Sequence, residues 1–400
     1  MELSSLLTKF SEPETLKMAK LGRELRAKGI DVIDLSLGEP DFDTPTHIKE
    51  AAKKAIDENY SHYTPVAGYL DLRQTICDKL KRDNNLDYTP QQIVVSTGAK
   101  QSIANTILSI LDQGDEIIIP TPYWVSYSEI ARLAGGKVVF VDGTFENGFK
   151  ITPSQLEAAI TPKTKLFIFS SPSNPTGAVY TKEELAGLAE VFRKHPQIFI
   201  ISDEIYEYIN YAHNTGGGHE SIAQFDFLKD QVILINGLSK GFAMTGWRLG
   251  YIAANETVAR AGEKIQGQFT SGTNAVTQRA AITALSSSLQ PSYDMVAQFK
   301  IRKDRVMELL KGLPELKCVE PDGAFYIFPE VSHYFGKKNG DVVIKDSNDL
   351  CMYLLNVAHV SSVAGDAFGA KGYIRISFAN SMKNIEEGFS RLKKGLDNLK

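Results

Sequence analysis

VILINGLSKGFAMTGWRLGYIAA, residues 232–254, runs from one short apolar segment to another across a loop that holds one lysine, Lys240, and one arginine, Arg248. Apolar runs of about four residues bounded by turn residues read as buried strands. Lys240 therefore stands where a strand ends, and its ammonium can face a pocket. Taken alone such a lysine is ordinarily a solvated surface residue, because an ammonium on a loop costs nothing to expose. Its company changes that reading. The Ser239 hydroxyl and the Arg248 guanidinium are groups suited to gripping a phosphate, which Arg does bidentately.

The same theme recurs upstream. Ile93-Val94-Val95-Ser96 runs into Thr97-Gly98-Ala99-Lys100 and a helix expected over 103–111, which leaves free N–H groups at a helix start, a natural phosphate site. Ile117-Ile118-Ile119 ends in PTPYWVSY and places Trp124; Phe167-Ile168-Phe169 ends in SSPSNPTG and places Asn174. Ile198-Phe199-Ile200-Ile201 ends in SDEIYEY and places Asp203 and Tyr206. Apolar runs alternating with helical stretches predict an α/β fold, a mostly parallel sheet flanked by helices. In such a sheet these strand ends share one edge, where ligands bind, so the loops converge on one crevice. Each residue has an ordinary alternative: Asp203 could cap a helix, Trp124 could be core, and Asn174 could serve the turn of Pro175 and Gly177. Their joint occurrence points to a site. A lysine beside an anion site suits a phosphorylated aldehyde, pyridoxal phosphate, whose carbonyl condenses with an amine of lowered pKa.

The flanks complete the plan. A helix over 15–28 stops at Gly29, a strand follows at 33–37, and Gly38 would let backbone approach a ligand. Thr44 can cap and Pro45 open a helix whose Ile48, Ala51, Ala52, Ala55 and Ile56 form one stripe. SHYTPVAG (61–68), an irregular loop containing Tyr63, precedes a helix from Leu70 to about Lys81. Past about Leu285 come a long helix, the strand-like CVEPDGAFYIFPEV, a helix DLCMYLLNVAHV, the strand GYIRISFA and a final helix with Ile385, Phe389, Leu392, Leu396 and Leu399 on its core face. This pattern predicts a smaller α+β domain. Arg375 alternates to the opposite face from Ile374 and Ile376 and is expected to be paired. The domains expected are 1–45, an N-terminal arm and part of the small domain; 46–290, a large cofactor-binding domain; and 291–400, the small domain. Thr215–Glu220 reads as a flexible loop near the crevice.

With 44 basic and 48 acidic residues the net charge is -4, and no basic tract is interleaved with aromatics, so small molecules rather than nucleic acid are the expected partners. Cys77, Cys318 and Cys351 are too few and scattered for a disulfide framework or a zinc site, and read as core thiols in a reducing compartment. No metal is expected. The absence of a run of about 18 apolar residues and of an export pattern argues against a membrane and for the cytoplasm.

SLGEPDFDTP, SHYTPVAGYLDLR, STGAKQSI, PTPYWVSY, SSPSNPTGAVY, SDEIYE, NGLSKGFAMTGWRLGY, PDGAFYIFP and IRISFA together resemble the class I pyridoxal-phosphate aminotransferases, closest to the bacterial aspartate aminotransferase subgroup, over nearly the whole chain. The resemblance implies the fold type I large domain with a smaller α+β domain. It implies that Lys240 carries the cofactor and shuttles the proton of the substrate Cα, that Asp203 pairs with the pyridine nitrogen, and that Tyr206 and Asn174 bond the phenolic oxygen while Trp124 stacks on the ring. The phosphate would rest on Gly98, Ala99, Ser239 and Arg248, with Lys100 near it and Tyr63 arriving from a second subunit, hence a homodimer with shared active sites. Gly38, Trp124, Asn174 and Arg375 would hold the amino acid, Arg375 by its α-carboxylate. Lys100, assisted by Thr15, would meet a side-chain carboxylate, or else only neutralise the phosphate. Gly237 departs from a Ser common in class I relatives, which removes one hydroxyl from the phosphate site, and Pro13 departs from a Ser near Thr15. The function implied is exchange of an amino group between L-aspartate and the 2-oxo acid 2-oxoglutarate by a ping-pong mechanism. The alternatives are an aromatic or prephenate aminotransferase and a carbon–sulfur β-lyase of the same fold. A pyridoxal-phosphate-sensing transcription regulator would need a DNA-binding domain ahead of the family-like region, which begins by about Thr15.

Overall fold

Apolar residues two apart along each run turn to the same side of a sheet, and this alternation builds the centre of the molecule. The computed structural model describes residues 3–8, 14–211 and 218–400, with backbone alone at 5, 6 and 14–16. Pro13 and Thr215–Gly217 of the loop named above, and the side chain of Thr15, lie outside the described residues. In chain order the elements are α1 (Glu14–Ala27), β1 (Ile33–Asp34), α2 (Thr46–Asp57), α3 (Leu70–Asn84), β2 (Ile93–Ser96), α4 (Ala99–Ile110), β3 (Glu116–Thr121), α5 (Ser126–Leu133), β4 (Lys137–Asp142), α6 (Pro153–Ala159), β5 (Thr164–Ser170), α7 (Lys182–Arg193) and β6 (Phe199–Asp203). They continue as β7 (Val232–Gly237), β8 (Gly250–Ala253), α8 (Glu256–Phe269), α9 (Ala275–Ser286), α10 (Gln290–Leu310), β9 (Tyr326–Ile327), β10 (Lys338–Asn339), β11 (Val342–Val343), α11 (Ser347–Tyr353), β12 (Val360–Ser361), β13 (Val363–Ala364), β14 (Ile374–Ser377) and α12 (Met382–Asp397).

Seven strands form the central sheet in the order β2-β8-β7-β6-β5-β3-β4. Only β8 runs against its neighbours. The repeated strand–turn–helix theme therefore breaks at the lysine-bearing stretch: β7 returns as β8 through the 238–249 loop, which holds one 3-10 turn at Thr245–Trp247 and no α-helix. Ile117 and Ile119 pack with Ile103, Ile107, Ile201 and Ile233 on one face, while Ile118 packs with Phe167, Ile200 and the α7 residues Leu185, Leu188 and Phe192 on the other. Helices thus cover both faces, as parallel strands require.

A second core joins the two ends of the chain. β13, β14 and β9 form a small antiparallel sheet, and β1 lies parallel to β12 with Ile33 opposite Val360. Met18, Ile33 and Leu35 share one apolar cluster with Phe299, Leu350, Ile376 and the α12 residues Ile385, Phe389, Leu392 and Leu396, and with Leu399, which lies beyond the end of that helix rather than on it.

Several expected elements differ in extent. CVEPDGAFYIFPEV yields only Tyr326–Ile327 as strand, because Gly323 and Ala324 instead bond to the turns at Gly177 and Ile209. In DLCMYLLNVAHV the α-helix widens to a π turn over Leu354–Ala358 and stops at His359, whose φ of 56° leaves helical space. α3 runs on to Asn84 and ends in a left-handed Asn85. Thr44 does not cap α2: its hydroxyl donates to the Ala243 carbonyl at 2.7 Å and accepts from Trp247 Nε1 at 3.1 Å, fixing the loop after Lys240. Among the described residues no helix is long and apolar enough to cross a membrane, and no group of three or more His, Cys, Asp or Glu could hold a metal ion.

One buried ion pair locks α3 to the sheet edge. Lys79 and Glu207, 1% and 3% exposed, are bonded to each other, and Glu207 also accepts from Asn236 Nδ2 at 2.8 Å near the end of β7. Removing one partner leaves an uncompensated buried charge. Lys79→Met should therefore destabilise the protein by roughly 3–5 kcal/mol, and adding Glu207→Leu should recover much of that loss. Urea unfolding of the cofactor-free variants checks this; a double variant no more stable than the single one would contradict it.

Candidate active site

A cavity of about 400 Å³ opens where β5, β6 and β7 end, and loops from five strands and from the N-terminal segment line it. Because β8 runs antiparallel, both ends of the 238–249 loop fall at this edge. That loop carries Ser239, Lys240 and Arg248 onto one wall.

Close approach of backbone shapes the wall formed by Arg248 and the start of α4. Gly98 precedes α4 at φ 84°, and a Cβ there would lie 2.4 Å from Arg248 Nη2. A Cβ on Gly250 would lie 2.3 Å from the Ala99 amide. These two glycines let the β8 hairpin press Arg248 against the start of α4. Among the described residues the amides of Ala99 and Lys100 have no backbone acceptor, so they join Arg248 as donors at a positive helix end. Gly237 pairs with Gly250, and a Cβ there would lie 2.6 Å from the Leu249 carbonyl. The hairpin is too tight there for a side chain of any size.

Lys240 Nζ donates to the Gly38 carbonyl and lies 5.6 Å from the Tyr206 ring. Desolvation brings its pKa down to about 8, Arg375 and Arg248 contributing. A fraction of the amine is thus neutral and nucleophilic near neutral pH. Asp203, 4% exposed at the end of β6, accepts from the Tyr127 hydroxyl at 2.6 Å. Burial pushes its pKa up to about 6. The Tyr206 and Tyr326 hydroxyls bond at 2.8 Å, and burial holds both well protonated.

Arg375 is 2% exposed. Its Nη1 donates to Asn174 Oδ1 at 2.9 Å and its Nη2 to the Ser36 carbonyl at 2.6 Å, while Nε has no partner among the described residues. The pairing expected for this strand arginine is made with neutral carbonyls and with no carboxylate among the described residues, so the positive charge stays uncompensated. Lys100 places Nζ 5.0 Å from the Trp124 ring, and desolvation together with Arg248 lowers its pKa.

Gly38, Ala99, Lys100, Trp124, Asn174, Asp203, Tyr206, Ser239, Lys240, Arg248 and Arg375 are thus gathered in one cavity. Gly98 shapes its wall from behind. Tyr63 does not reach it: the ring is 99% exposed on the loop before α3. Tyr127, Tyr326 and Ser36 were not singled out by sequence. Tyr127 lies within PTPYWVSY, three residues after Trp124, and only the spatial neighbourhood of Asp203 distinguishes it.

Residues 30–392 match the family model described as aminotransferase class I and II. The chain is 42% identical to the aspartate/prephenate aminotransferase of Nitrosomonas europaea over 395 residues, 98% of this chain and 99% of that one. It is 44% identical to the aspartate aminotransferase of Bacillus subtilis over 398 residues, 98% of each. Among solved structures, an aspartate aminotransferase from Rhizobium meliloti superposes with a TM-score of 0.95 at 38% identity, covering 100% of both chains. The aspartate aminotransferase from Thermus thermophilus with maleate gives 0.92 at 37% identity, covering 99% of this chain and 100% of that one.

Burial of Asp203 has a cost that titrates. With a folded pKa near 6 against an ordinary 3.8, the folded state holds the proton more tightly, so the penalty is absent below pH 4, grows as pH rises and is complete above pH 6. Asp203→Asn keeps an acceptor for Tyr127 and removes the charge. In cofactor-free protein it should match the parent near pH 4 and exceed it by on the order of 3 kcal/mol at pH 7. Thermal unfolding across that range checks this; a difference that does not change with pH would contradict it.

Proposed function

Because this chain belongs to the class I and II aminotransferases, we propose that its cavity exchanges an amino group between L-aspartate and 2-oxoglutarate, in two half-reactions on bound pyridoxal phosphate. One observation carries this reading: an amine whose pKa is brought down to about 8 shares a small cavity with a buried guanidinium that has no carboxylate partner among the described residues. The first suits an aldehyde and the second an amino-acid carboxylate.

The residues present fit the cofactor. Arg248, the free amides of α4 and Ser239 form a cradle for a phosphate, and a side chain at Gly98 would fill it. When bound, pyridoxal phosphate supplies a conjugated ring that withdraws electrons from the substrate Cα. Lys240 Nζ would hold the aldehyde and would serve as the base for the Cα proton, since an amine placed beside that proton needs no further positioning. Asp203, oriented by Tyr127, would hold the ring nitrogen in its protonated form. Tyr206 and Asn174 would hydrogen-bond the phenolic oxygen, and Trp124 would cover the ring. Arg375, held by Asn174 and Ser36 beside Gly38, presents its unused donors to the α-carboxylate.

Lys100, with Thr15, selects the side-chain carboxylate. The Thermus thermophilus relative is described with maleate, a dicarboxylate, and prephenate, named for the Nitrosomonas europaea relative, is the second candidate partner. Tyr63, fully exposed on the loop before α3, would in a homodimer reach the phosphate of the other subunit. The division at about 45 and 290 belongs to the same proposal, with the N-terminal arm packing on the C-terminal core. Free Cys77, Cys318 and Cys351 suit the cytoplasm.

The direct test is spectroscopic. The absorbance of the loaded protein should change on adding L-aspartate, with release of oxaloacetate, and return on adding 2-oxoglutarate; no change with any dicarboxylic amino acid would refute the assignment. Lys100→Ala separates selectivity from phosphate neutralisation. Loss of a contact made only by dicarboxylic substrates should lower their kcat/KM relative to alanine by roughly 30- to 150-fold, about 2–3 kcal/mol. A uniform loss across aspartate, glutamate, alanine and phenylalanine would leave Lys100 with the phosphate alone.

A further inference from the structure

The chain contains 13 arginines. Twelve of them donate to a carboxylate or a carbonyl. Arg23 is the remaining one, with no hydrogen bond or ion pair among the described residues, and it lies at the rim of the active-site cavity. An exposed arginine on a surface helix can pair with a carboxylate three or four residues away, and α1 offers Arg23 none at those positions. Arg23 points instead along the face of α1 that carries Ala19, one turn earlier, and both residues line the cavity. The helix is held in this orientation from its other side. Gly22 packs over Val32 and Asp34, and Arg26 donates to the Val32 carbonyl at 3.3 Å and to Asp34 at 3.4 Å.

Charge in the cavity leaves the same residue unassigned. Arg23, Lys100, Lys240, Arg248 and Arg375 face two carboxylates, Glu39 and Asp203, and Glu39 is engaged by the Thr245 hydroxyl at 2.9 Å. In the function proposed above Lys240 takes the aldehyde, Arg248 the phosphate and Arg375 the α-carboxylate. Lys100 is then a single ammonium for the side-chain carboxylate, a group with lone pairs for several donors. We propose that Arg23 is a specificity-determining residue, which with Lys100 receives the side-chain carboxylate of a dicarboxylic substrate. This rests on the aminotransferase reading and adds to it a donor from the N-terminal helix, opposite the sheet edge. A guanidinium suits the task because it stays charged at any working pH and meets a carboxylate with two parallel donors.

The test uses the pyridoxal-phosphate-loaded protein and its Arg23→Met and Arg23→Lys variants. Calorimetric titration with succinate, an unreactive dicarboxylate, measures binding without turnover. Arg23→Met should weaken succinate binding by roughly 5- to 10-fold and lower the ratio of kcat/KM for aspartate to that for alanine by a similar factor, as expected for one partly exposed charged contact. Arg23→Lys should fall between Met and the parent. Succinate affinity and substrate ratio both within about twofold of the parent, or an equal loss for aspartate and alanine, would overturn the role of Arg23. A parent protein that fails to exchange aspartate with 2-oxoglutarate would overturn the aminotransferase substrate instead, and the succinate titration would still decide for Arg23.

Discussion

A buried guanidinium ties the molecule together at its working centre. Arg375 on β14 donates to Asn174, just beyond β5 of the central sheet, and to the carbonyl of Ser36, just beyond β1. Three stretches far apart in sequence meet in these two hydrogen bonds. Both acceptors are neutral, so the bonds orient the fork without cancelling its charge. A desolvated cation in that state is costly, and its pKa is lowered by burial accordingly. The ring of Tyr326, 4.5 Å from the guanidinium, offsets part of that cost, and an anion admitted to the cavity would offset more.

The other charged groups of the cavity obey the same constraint. Burial raises Asp203 and lowers Lys240 toward each other, so both groups titrate nearer to neutrality than their ordinary values allow. Tyr127 and Gly38 fix their directions by hydrogen bonds. Tight backbone packing at Gly98 and Gly250 fixes Arg248. The outer support comes from the Lys79–Glu207–Asn236 link beneath the end of β7. Rigid elements thus hold groups whose charges would otherwise favour solvent, and stability is spent on a site prepared for charge.

What could be read from the sequence follows the range of the interactions involved. Trp124, Asn174, Asp203 and Lys240 were legible because each follows an apolar run, and parallel strands bring such positions to one edge. The quoted motifs added the family and, through it, roles for Gly98, Arg248 and Arg375. Tyr127 was not legible: its hydroxyl is functional only because Asp203, 76 residues later, lies within 2.6 Å. The antiparallel β8 was hidden because a run such as Tyr251-Ile252-Ala253-Ala254 carries no mark of direction. Thr44 looked like a helix cap, since local spacing cannot foresee a carbonyl 199 residues away. Arg23 carries no mark in the sequence, because an unpaired charge becomes visible only when every partner has been located.

The central claim is that Lys240 is the amine that carries the cofactor. Borohydride reduction of the protein loaded with pyridoxal phosphate, followed by digestion and peptide mapping, tests it most directly. The account predicts a pyridoxyl group on the peptide containing Ser239-Lys240-Gly241 and on no other; stoichiometric labelling of a different lysine, Lys100 above all, would contradict it.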